Sequence, residues 1–270
     1  MDKTKEFRKE GYSYSEIAKL IGKSRKFAWT HGKNTSFTNK GLKRYRKEVK
    51  GVIKPIKSQN KLSSRKVRII GHILFDGTMY NSKYHYFVRY INSSKKLIEQ
   101  FIEDLKTVYG LTPSALESKK DSKLICYAVT FKSKLLYEDL EKYFGSYSSK
   151  SVSPIPKIIM DSSKKMKIEF LRSFWEDEGS ISAKGRLMAD QKSEKIIKQI
   201  IKLHNDIGLY PRLCKYECYK GFIHKIYLLK NRENLAKFDK LRLFEKAIIT
   251  HGKNIGKKKL DILRKHMSKF

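Results

Sequence analysis

The sequence has few acidic residues and no long apolar run. Its 270 residues include 27 Asp and Glu against 61 Lys and Arg, which gives a formal net charge of +34 at pH 7. A surplus of this size must spread over much of the surface, where it attracts a polyanion, and nucleic acid is the first expectation. Because no apolar run approaches the roughly 20 residues that span a bilayer, no membrane association is expected.

Cysteine is also scarce. The chain has three, Cys126, Cys214 and Cys218, and they are too few for a disulfide framework. The spacing of the last two differs from the C-x2-C pair of zinc sites. The N-terminus lacks the charged-then-apolar pattern of a signal peptide. These absences predict an intracellular protein, either cytoplasmic or organellar.

A repeat organises most of the chain. Residues 1–32 predict a short helical module, and residues 33–66 predict a basic linker that holds a single acid. Residues 67–150 and 151–270 then follow one order of elements: a helix, two strands, a helix, two strands and a helix. A basic segment with helical spacing, 257–270, ends the second copy.

The spacing of apolar residues predicts the individual helices, and segments rich in β-branched or aromatic residues predict the strands. The first strand of each copy has only a faint pattern and no assigned range. In the first copy the pattern predicts helices at 67–75, 95–109 and 134–144 and the remaining strands at 84–90, 114–118 and 124–131. In the second copy it predicts helices at 168–177, 193–207 and 231–241 and strands at 186–190, 212–218 and 222–229. A partial helix is expected at 42–49, and a linker rich in serine at 146–156.

The first helix of each copy ends in the same pattern. The two nonapeptides are IIGHILFDG (69–77) and LRSFWEDEG (171–179). Each has a small residue in third place, Gly71 or Ser173, which lets two helices cross closely. Each has an acid in eighth place, Asp76 or Glu178, and the two acids are 178 − 76 = 102 residues apart. The glycine in ninth place is expected to end the helix in a left-handed turn.

Two such helices, paired about a pseudo-twofold axis, would place Asp76 and Glu178 side by side. Adjacent carboxylates raise each other's pKa unless a cation neutralises them. Phosphodiester hydrolysis uses this arrangement, because carboxylate-held Mg²⁺ activates water and stabilises the attacking and leaving oxygens. The pattern therefore predicts a divalent metal site.

With these two motifs the sequence resembles the LAGLIDADG homing endonucleases, in their single-chain form. The resemblance covers roughly residues 67–250. It implies an α+β fold of two pseudo-symmetric αββαββα half-domains whose antiparallel sheets form saddles over the major groove. It also implies a monomer that cleaves double-stranded DNA in intron homing, at a long asymmetric site, with Mg²⁺ or Mn²⁺ as substitute, leaving short 3′ overhangs.

The resemblance assigns roles to six residues. Asp76 and Glu178 match the metal ligands. The strand-end amide of the family matches Gln191 and, more loosely, Asn92, and the lysine that closes the last strand of each half matches Lys132 and Lys230. The sequence departs from the family in seventh place, where Phe75 and Asp177 replace small residues. Asp177 and its neighbour Glu176 are alternative ligands to Glu178.

The N-terminal segment Tyr14–His31 predicts two short helices, and the stretch Glu10–Ser24 resembles the helix-turn-helix of resolvases and transposases. Ser15 is expected to cap the first helix, Gly22 to make the turn and Ser24 to cap the second helix. In that motif the second helix enters the major groove, so Arg25 and Lys26 are predicted to contact DNA. A plain helical hairpin is the alternative.

The alternating strands predict further DNA contacts. Side chains at alternate positions share one face of a sheet. The more polar face of the strand 84–90 carries Lys83, His85 and Arg89, and in the second copy Lys215 takes a similar place. The sequence therefore predicts a site-specific DNA endonuclease. A maturase that binds intron RNA, and a regulator that binds DNA without cutting it, are the alternatives.

Overall fold

The computed structural model describes residues 3–41, 44, 61–82, 85–121, 124–144, 154–218 and 221–270. The chain divides into two compact units, Met1–Ile56 and Lys57–Phe270. The helix expected at 42–49, apart from residue 44, and most of the linker expected at 146–156 lie outside the described residues. Among those described, no helix is both long enough and apolar enough to cross a membrane.

The first unit contains three short helices. They are α1 (Lys3–Lys9), α2 (Tyr14–Ile21) and α3 (Arg25–Gly32). Ile17, Ala18 and Ala28 are buried between them. Gly22 has a φ of 63° and ends α2, as expected. Ser24 caps α3 by accepting a hydrogen bond from the Phe27 N–H at 3.1 Å. The two-helix prediction for this segment is confirmed.

Two details of this unit differ from the expectation. Ser13, and not Ser15, caps α2, because the helix begins at Tyr14. Ser13 accepts from the Glu16 N–H at 3.3 Å, and the Glu16 carboxylate accepts from the Ser13 N–H at 2.7 Å, a reciprocal capping box. Beyond residue 32 the chain returns to α1, where the N–H and hydroxyl of Thr38 both donate to the Lys9 carbonyl at 3.0 Å. The unit therefore extends past the boundary expected at residue 32.

The second unit contains the repeat. Its first half comprises α4 (Ser64–Phe75), β1 (Gly77–Ser82), β2 (His85–Asn92), α5 (Lys95–Tyr109), β3 (Ala115–Asp121), β4 (Leu124–Lys132) and α6 (Lys134–Phe144). After α7 (Lys157–Met160), the second half comprises α8 (Lys164–Asp177), β5 (Gly179–Ile181), β6 (Leu187–Gln191), α9 (Glu194–Asp206), β7 (Arg212–Cys218), β8 (Gly221–Leu228) and α10 (Arg232–Lys240), followed by α11 (Lys259–Met267). The predicted order of elements is confirmed.

Each half folds into a four-stranded antiparallel sheet. The strand orders are β1-β2-β4-β3 and β5-β6-β8-β7, so the two topologies are equivalent. Gly77 pairs with Tyr90, and Gly179 pairs with Ala189. Counting two residues onward from these partners makes Asn92 equivalent to Gln191. The register thus defines which residues of the two halves correspond.

The first helices of the two halves, α4 and α8, cross at Gly71 and Ser173. A Cβ added to Gly71 would lie only 2.6 Å from the Ser173 Cβ. The Ser173 hydroxyl donates to the Arg68 carbonyl of the opposite helix at 3.3 Å. These contacts form the close crossing that the small residues predict.

Phe75 does not push this crossing apart. Its ring packs against two rings of α8, those of Phe170 and Phe174, with centroid separations of 5.6 and 5.2 Å. The large residue in seventh place therefore fills the flank of the crossing with an aromatic cluster.

The glycines after the two helices have a different role from the expected one. Neither Gly77 nor Gly179 has a positive φ. A Cβ on Gly77 would lie 2.4 Å from the Ile73 Cα, and one on Gly179 would lie 2.4 Å from the Trp175 carbonyl oxygen. Glycine is needed because the first strand folds tightly against the last helical turn, and a left-handed turn is not involved.

Gly71→Ala is expected to destabilise the protein by about 1–3 kcal/mol, because its methyl group overlaps Ser173 in a packed core. In an open helix the same change would be stabilising. Ser173→Gly makes room, so in the double variant the added cost of the alanine should largely disappear. Urea unfolding of the four proteins gives this double-mutant cycle. Additive losses, or a more stable Gly71→Ala protein, would contradict the close crossing.

Candidate active site at the helix crossing

The crossing brings the two motif acids into one cleft. Asp76 and Glu178 each follow the last residue of their helix, and their N–H groups bond to the carbonyls of His72 at 3.1 Å and Phe174 at 2.9 Å. Both line a single cleft of about 1130 Å³. Two residues that are 102 positions apart in the sequence thus share one site.

The carboxylates of Asp76 and Glu178 have few protein partners. Asp76 accepts one hydrogen bond, from the Asn92 amide at 3.2 Å. Within the described part of the chain, no group donates a hydrogen bond to the Glu178 carboxylate. Burial, followed by repulsion from Asp177, raises the pKa of Asp76 to about 7. Burial, followed by repulsion from Asp76, raises the pKa of Glu178 to about 8. A cation between them would remove this cost.

Asp177 lies beside these acids but is bound by the first half. One of its oxygens lies 2.8 Å from the His72 Nδ1, and the other accepts from the Tyr90 hydroxyl at 2.7 Å and the Asn92 amide at 3.3 Å. Burial lowers the pKa of His72 to about 4, so its ring is neutral at pH 7. The structure therefore does not support Asp177 as an alternative to Glu178, because its side chain is engaged in a buried network between the halves.

Glu176 is bound by the segment that follows α10. Its carboxylate accepts the backbone N–H groups of Glu245 at 3.3 Å and Lys246 at 2.9 Å. The Lys246 carbonyl in turn accepts from the Ser94 hydroxyl of the first half at 2.6 Å. Glu176 therefore holds the segment after α10 in place, and it is no substitute for Glu178 either.

Lys259 is a residue of the cleft that the sequence analysis missed. It begins α11, is 6% exposed, and its ammonium donates to the Glu176 carbonyl at 3.0 Å and the Gly179 carbonyl at 2.6 Å. Burial lowers its pKa to about 8. The available signal was its position four residues before the buried Leu263, on the inner face of a helix assigned only as a basic tail.

The two candidate amides occupy equivalent positions but have different surroundings. The oxygen of Asn92 accepts from the Ser94 N–H at 2.8 Å, and that of Gln191 accepts from the Ser193 N–H at 3.4 Å. The Asn92 side chain lines the cleft and bonds to Asp76. The looser match in sequence is thus the one that the structure places at the acids.

Neither candidate lysine lies at the acids. Lys132 pairs with Phe87, five residues along β2 from Asn92, and is exposed. Lys230 follows β8 at the end that pairs with Leu187, the end remote from Gln191. The structure therefore does not bring Lys132 or Lys230 to Asp76 and Glu178, and a catalytic role of either lysine stays a prediction.

The two lysines are not equivalent to each other either. Val129 pairs with Tyr90, and Ile226 pairs with Ala189. The equivalent of Lys132 is therefore residue 229, and Lys230 lies one position beyond it. Sequence spacing alone concealed this offset.

The outer face of the first sheet carries two of the residues that are predicted to contact DNA. Val88 and Tyr90 are fully buried on the helix side, so His85 and Arg89 lie on the opposite face. Arg89 pairs with Glu117 at 2.8 Å on that face. Lys83 lies outside the described residues.

Lys215 is on the other side of its sheet. It pairs with His224, which is buried with Ile226 on the helix side. The face that continues the cleft, with Asp190, carries Lys225 and Arg212 instead. Lys215 therefore does not lie on the face that continues the cleft, because the alternation in β7 is offset by one residue from the expected one, and its DNA contact stays a prediction.

Comparison with solved structures identifies the fold. A structure of mesophilic variants of the homing endonuclease I-DmoI matches at a TM-score of 0.50 and 17% identity, covering 66% of this chain and 94% of that one. I-DmoI in complex with DNA and Mn matches equally, covering 66% and 96%. The homing endonuclease I-WcaI, bound to its DNA recognition sequence, matches with 16% identity over 77% and 89% of the chains at a TM-score of 0.49. No protein-family model and no curated protein sequence matches.

The likeness to I-DmoI and the two αββαββα halves define the fold of the second unit. It has the α+β fold of the LAGLIDADG homing endonucleases, as the motifs predict. The second unit is the single-chain form of this fold, with both motif helices at its centre.

The donor set of the cleft suits a hard divalent cation. Its free ligands are carboxylate oxygens, which Mg²⁺ and Mn²⁺ prefer. Among the described residues, no three His, Cys, Asp or Glu side chains gather to hold a metal. A metal at Asp76 and Glu178 would therefore complete its shell with water and phosphate oxygens, the usual pattern for Mg²⁺ in phosphoryl-transfer sites.

The stability of the protein in EDTA is expected to fall as pH rises. Carboxyls in the unfolded chain lose their protons near pH 4, whereas folded Asp76 and Glu178 keep theirs until about pH 7 and 8. The folded state thus binds more protons in this window, and its advantage is lost as pH increases through the folded pKa values. Ca²⁺ should therefore raise the melting temperature more at about pH 8.5 than at about pH 6. Thermal unfolding, with the Asp76→Asn/Glu178→Gln double variant as control, measures this difference; an equal effect at both pH values, or one retained by the control, would refute it.

Proposed function

We propose that the protein is a site-specific double-strand DNA endonuclease that hydrolyses phosphodiesters with carboxylate-held divalent metal. The observation that supports this most directly is the shared cleft of Asp76 and Glu178, two half-buried acids with raised pKa values and few protein partners. Such a pair is costly to fold unless a cation is bound, and it lies in a chain with a net charge of +34.

Asp76 and Glu178 would hold the metal, with Mg²⁺ as the expected ion and Mn²⁺ as a substitute. When bound, the metal would lower the pKa of a water molecule and stabilise the charge that develops on the scissile phosphate. The Asn92 amide orients Asp76 by donating a hydrogen bond to it. Fixed ligand geometry of this kind is what metal-assisted hydrolysis requires from the protein.

The substrate is proposed to be a duplex with an asymmetric site about two helical turns long. One chain supplies both halves, so a monomer suffices. The halves differ in the side chains on their outer sheet faces, with His85 and Arg89 on one and Arg212 and Lys225 on the other. Unlike faces would recognise unlike half-sites. The family resemblance adds short 3′ overhangs and a role in intron homing to the proposal.

An RNA maturase and a non-cleaving DNA regulator are less well supported. Both would bring phosphates to the cleft, where two carboxylates without a metal repel them. A protein that only binds nucleic acid gains nothing from that repulsion. Comparing affinity for intron RNA with cleavage of the intronless DNA would separate these activities.

Asp76→Asn and Glu178→Gln are each expected to reduce cleavage by about a thousandfold or more, on the scale of a lost charge-stabilising group. Binding to the specific duplex should persist, because the sheet faces are unchanged. The target is first selected from a library of insertion-site DNA with Mg²⁺. Cleavage in Mg²⁺ and binding in Ca²⁺ are then measured on that duplex.

Asp190→Asn is the matched control, since Asp190 lines the same cleft but is paired with Lys225 at 3.5 Å. It should retain cleavage within about tenfold, the lower range of effects of residues around a metal site. If both Asp76→Asn and Glu178→Gln still cut both strands at the wild-type rate, the proposed function is wrong.

The N-terminal unit is proposed to bind DNA through α3. Arg25 and Lys26 are both exposed in its first turn, as a recognition helix requires. The double variant Arg25→Ala/Lys26→Ala should bind the target more weakly, and its log–log salt slope should fall by up to about two units. The cleavage rate of the bound complex should not change. The control removes two charges from α1 as Lys5→Ala/Lys9→Ala, and equal losses in both double variants would argue against a recognition role for α3.

A further inference from the structure

The segment that follows the second half is built into the cleft. The backbone N–H groups of Glu245 and Lys246 donate to Glu176, and the Lys259 N–H donates to the Ala247 carbonyl at 3.0 Å. Between these two sets of contacts, an isolated antiparallel β-bridge pairs Ile248 with Lys258. The C-terminal helix α11 is therefore fixed at the end of α8, where the second motif acid lies.

The ammonium of Lys259 holds the turn that carries Glu178. Its two acceptors, the carbonyls of Glu176 and Gly179, belong to residues on either side of Glu178. The carbonyl ends of a helix carry partial negative charge, which favours a cation there. Because the side chain is buried, these hydrogen bonds are protected from competition by water.

Lys259 also offsets the charge of the clustered acids. It lines the same cleft as Asp76, Asp177 and Glu178, so its positive charge attracts their carboxylates. Buried carboxylates of one sign need a compensating charge. An ammonium that belongs to the fold supplies part of it before any metal binds.

We propose that Lys259 is a positioning residue of the active centre, and that α11 is therefore part of the catalytic unit. Lys259 fixes the turn that presents Glu178 and partly neutralises the acids. This rests on the proposed function, and it adds a structural element that lies outside both repeated halves.

Lys259→Met tests the proposal, with Lys258→Met as matched control. Lys258 is the preceding residue, is exposed and carries the same charge. At saturating Mg²⁺ and DNA, Lys259→Met should reduce the single-turnover cleavage rate by about 10–100-fold, as positioning residues at metal sites do. Lys258→Met should stay within about twofold of the natural protein, the usual range for an exposed position.

A second measurement separates positioning from a general loss of packing. Without Lys259 the acids lack their internal cation, so Ca²⁺ should stabilise Lys259→Met by at least about twice the melting-temperature shift that it gives Lys258→Met. A packing defect would lower the melting temperature equally with and without Ca²⁺. Equal Ca²⁺ shifts in the two variants, or equal cleavage rates, would overturn the proposal.

A charge-matched pair covers the case in which Lys259→Met does not fold. Lys259→Arg keeps the cation, whereas Lys259→Gln keeps hydrogen-bond donors without the charge. Ca²⁺ should stabilise the glutamine variant more than the arginine variant, and equal shifts would again overturn the proposal. If the Lys259 variants give equal shifts while Asp76→Asn and Glu178→Gln are still inactive, the role of Lys259 is rejected and the proposed function stands.

Discussion

Contact between the two motif helices at Gly71 and Ser173 is the constraint on which the second unit depends. Helices that touch there must also bring their ends together, and each end carries an acid. The close backbone approach, with a missing Cβ on one side and a small side chain on the other, therefore gathers negative charge in a buried place. The surrounding groups then have to make that charge tolerable.

The two halves meet this demand in different ways, although their folds are equivalent. The first half contributes side chains from its own sheet and helix, so that Tyr90 and Asn92 donate to Asp177 and His72 lies against it. Asp177, an acid of the second half, is thus compensated by the first half, whereas the turn that carries Glu178 is held from outside the repeat, by Lys259 of α11. Pseudo-symmetry thus describes the backbone, whereas the chemistry around each acid is specific to its half.

The local sequence pattern predicts the repeat and the two acids because both depend on short contiguous segments. Hydrophobic periodicity is sufficient to find the nonapeptides, their spacing and the order of elements. Register is set by tertiary pairing. The strand pattern predicts Lys132 and Lys230 as equivalent and Lys215 on the outer face, whereas the pairing places Lys230 one position further along and Lys215 on the helix side. A slip of one residue in a strand moves a side chain to the opposite face. The spacing of Lys259 to Leu263 indicates the inner face of its helix, but it does not indicate which distant carbonyls a buried lysine will contact.

The cost of the acid cluster is itself an argument for function. A fold that needed only stability could replace buried, mutually repelling carboxylates with neutral side chains at a gain in free energy. Here Asp76 and Glu178 remain in a cleft, with raised pKa values and, among the described residues, almost no hydrogen-bond donors. Acids that destabilise an otherwise well-packed structure in this way are typical of functional sites. Asp177 belongs to the same cluster but has a full set of protein partners, so its role is structural. Asp76 and Glu178 lack such a set and are the acids left for a ligand.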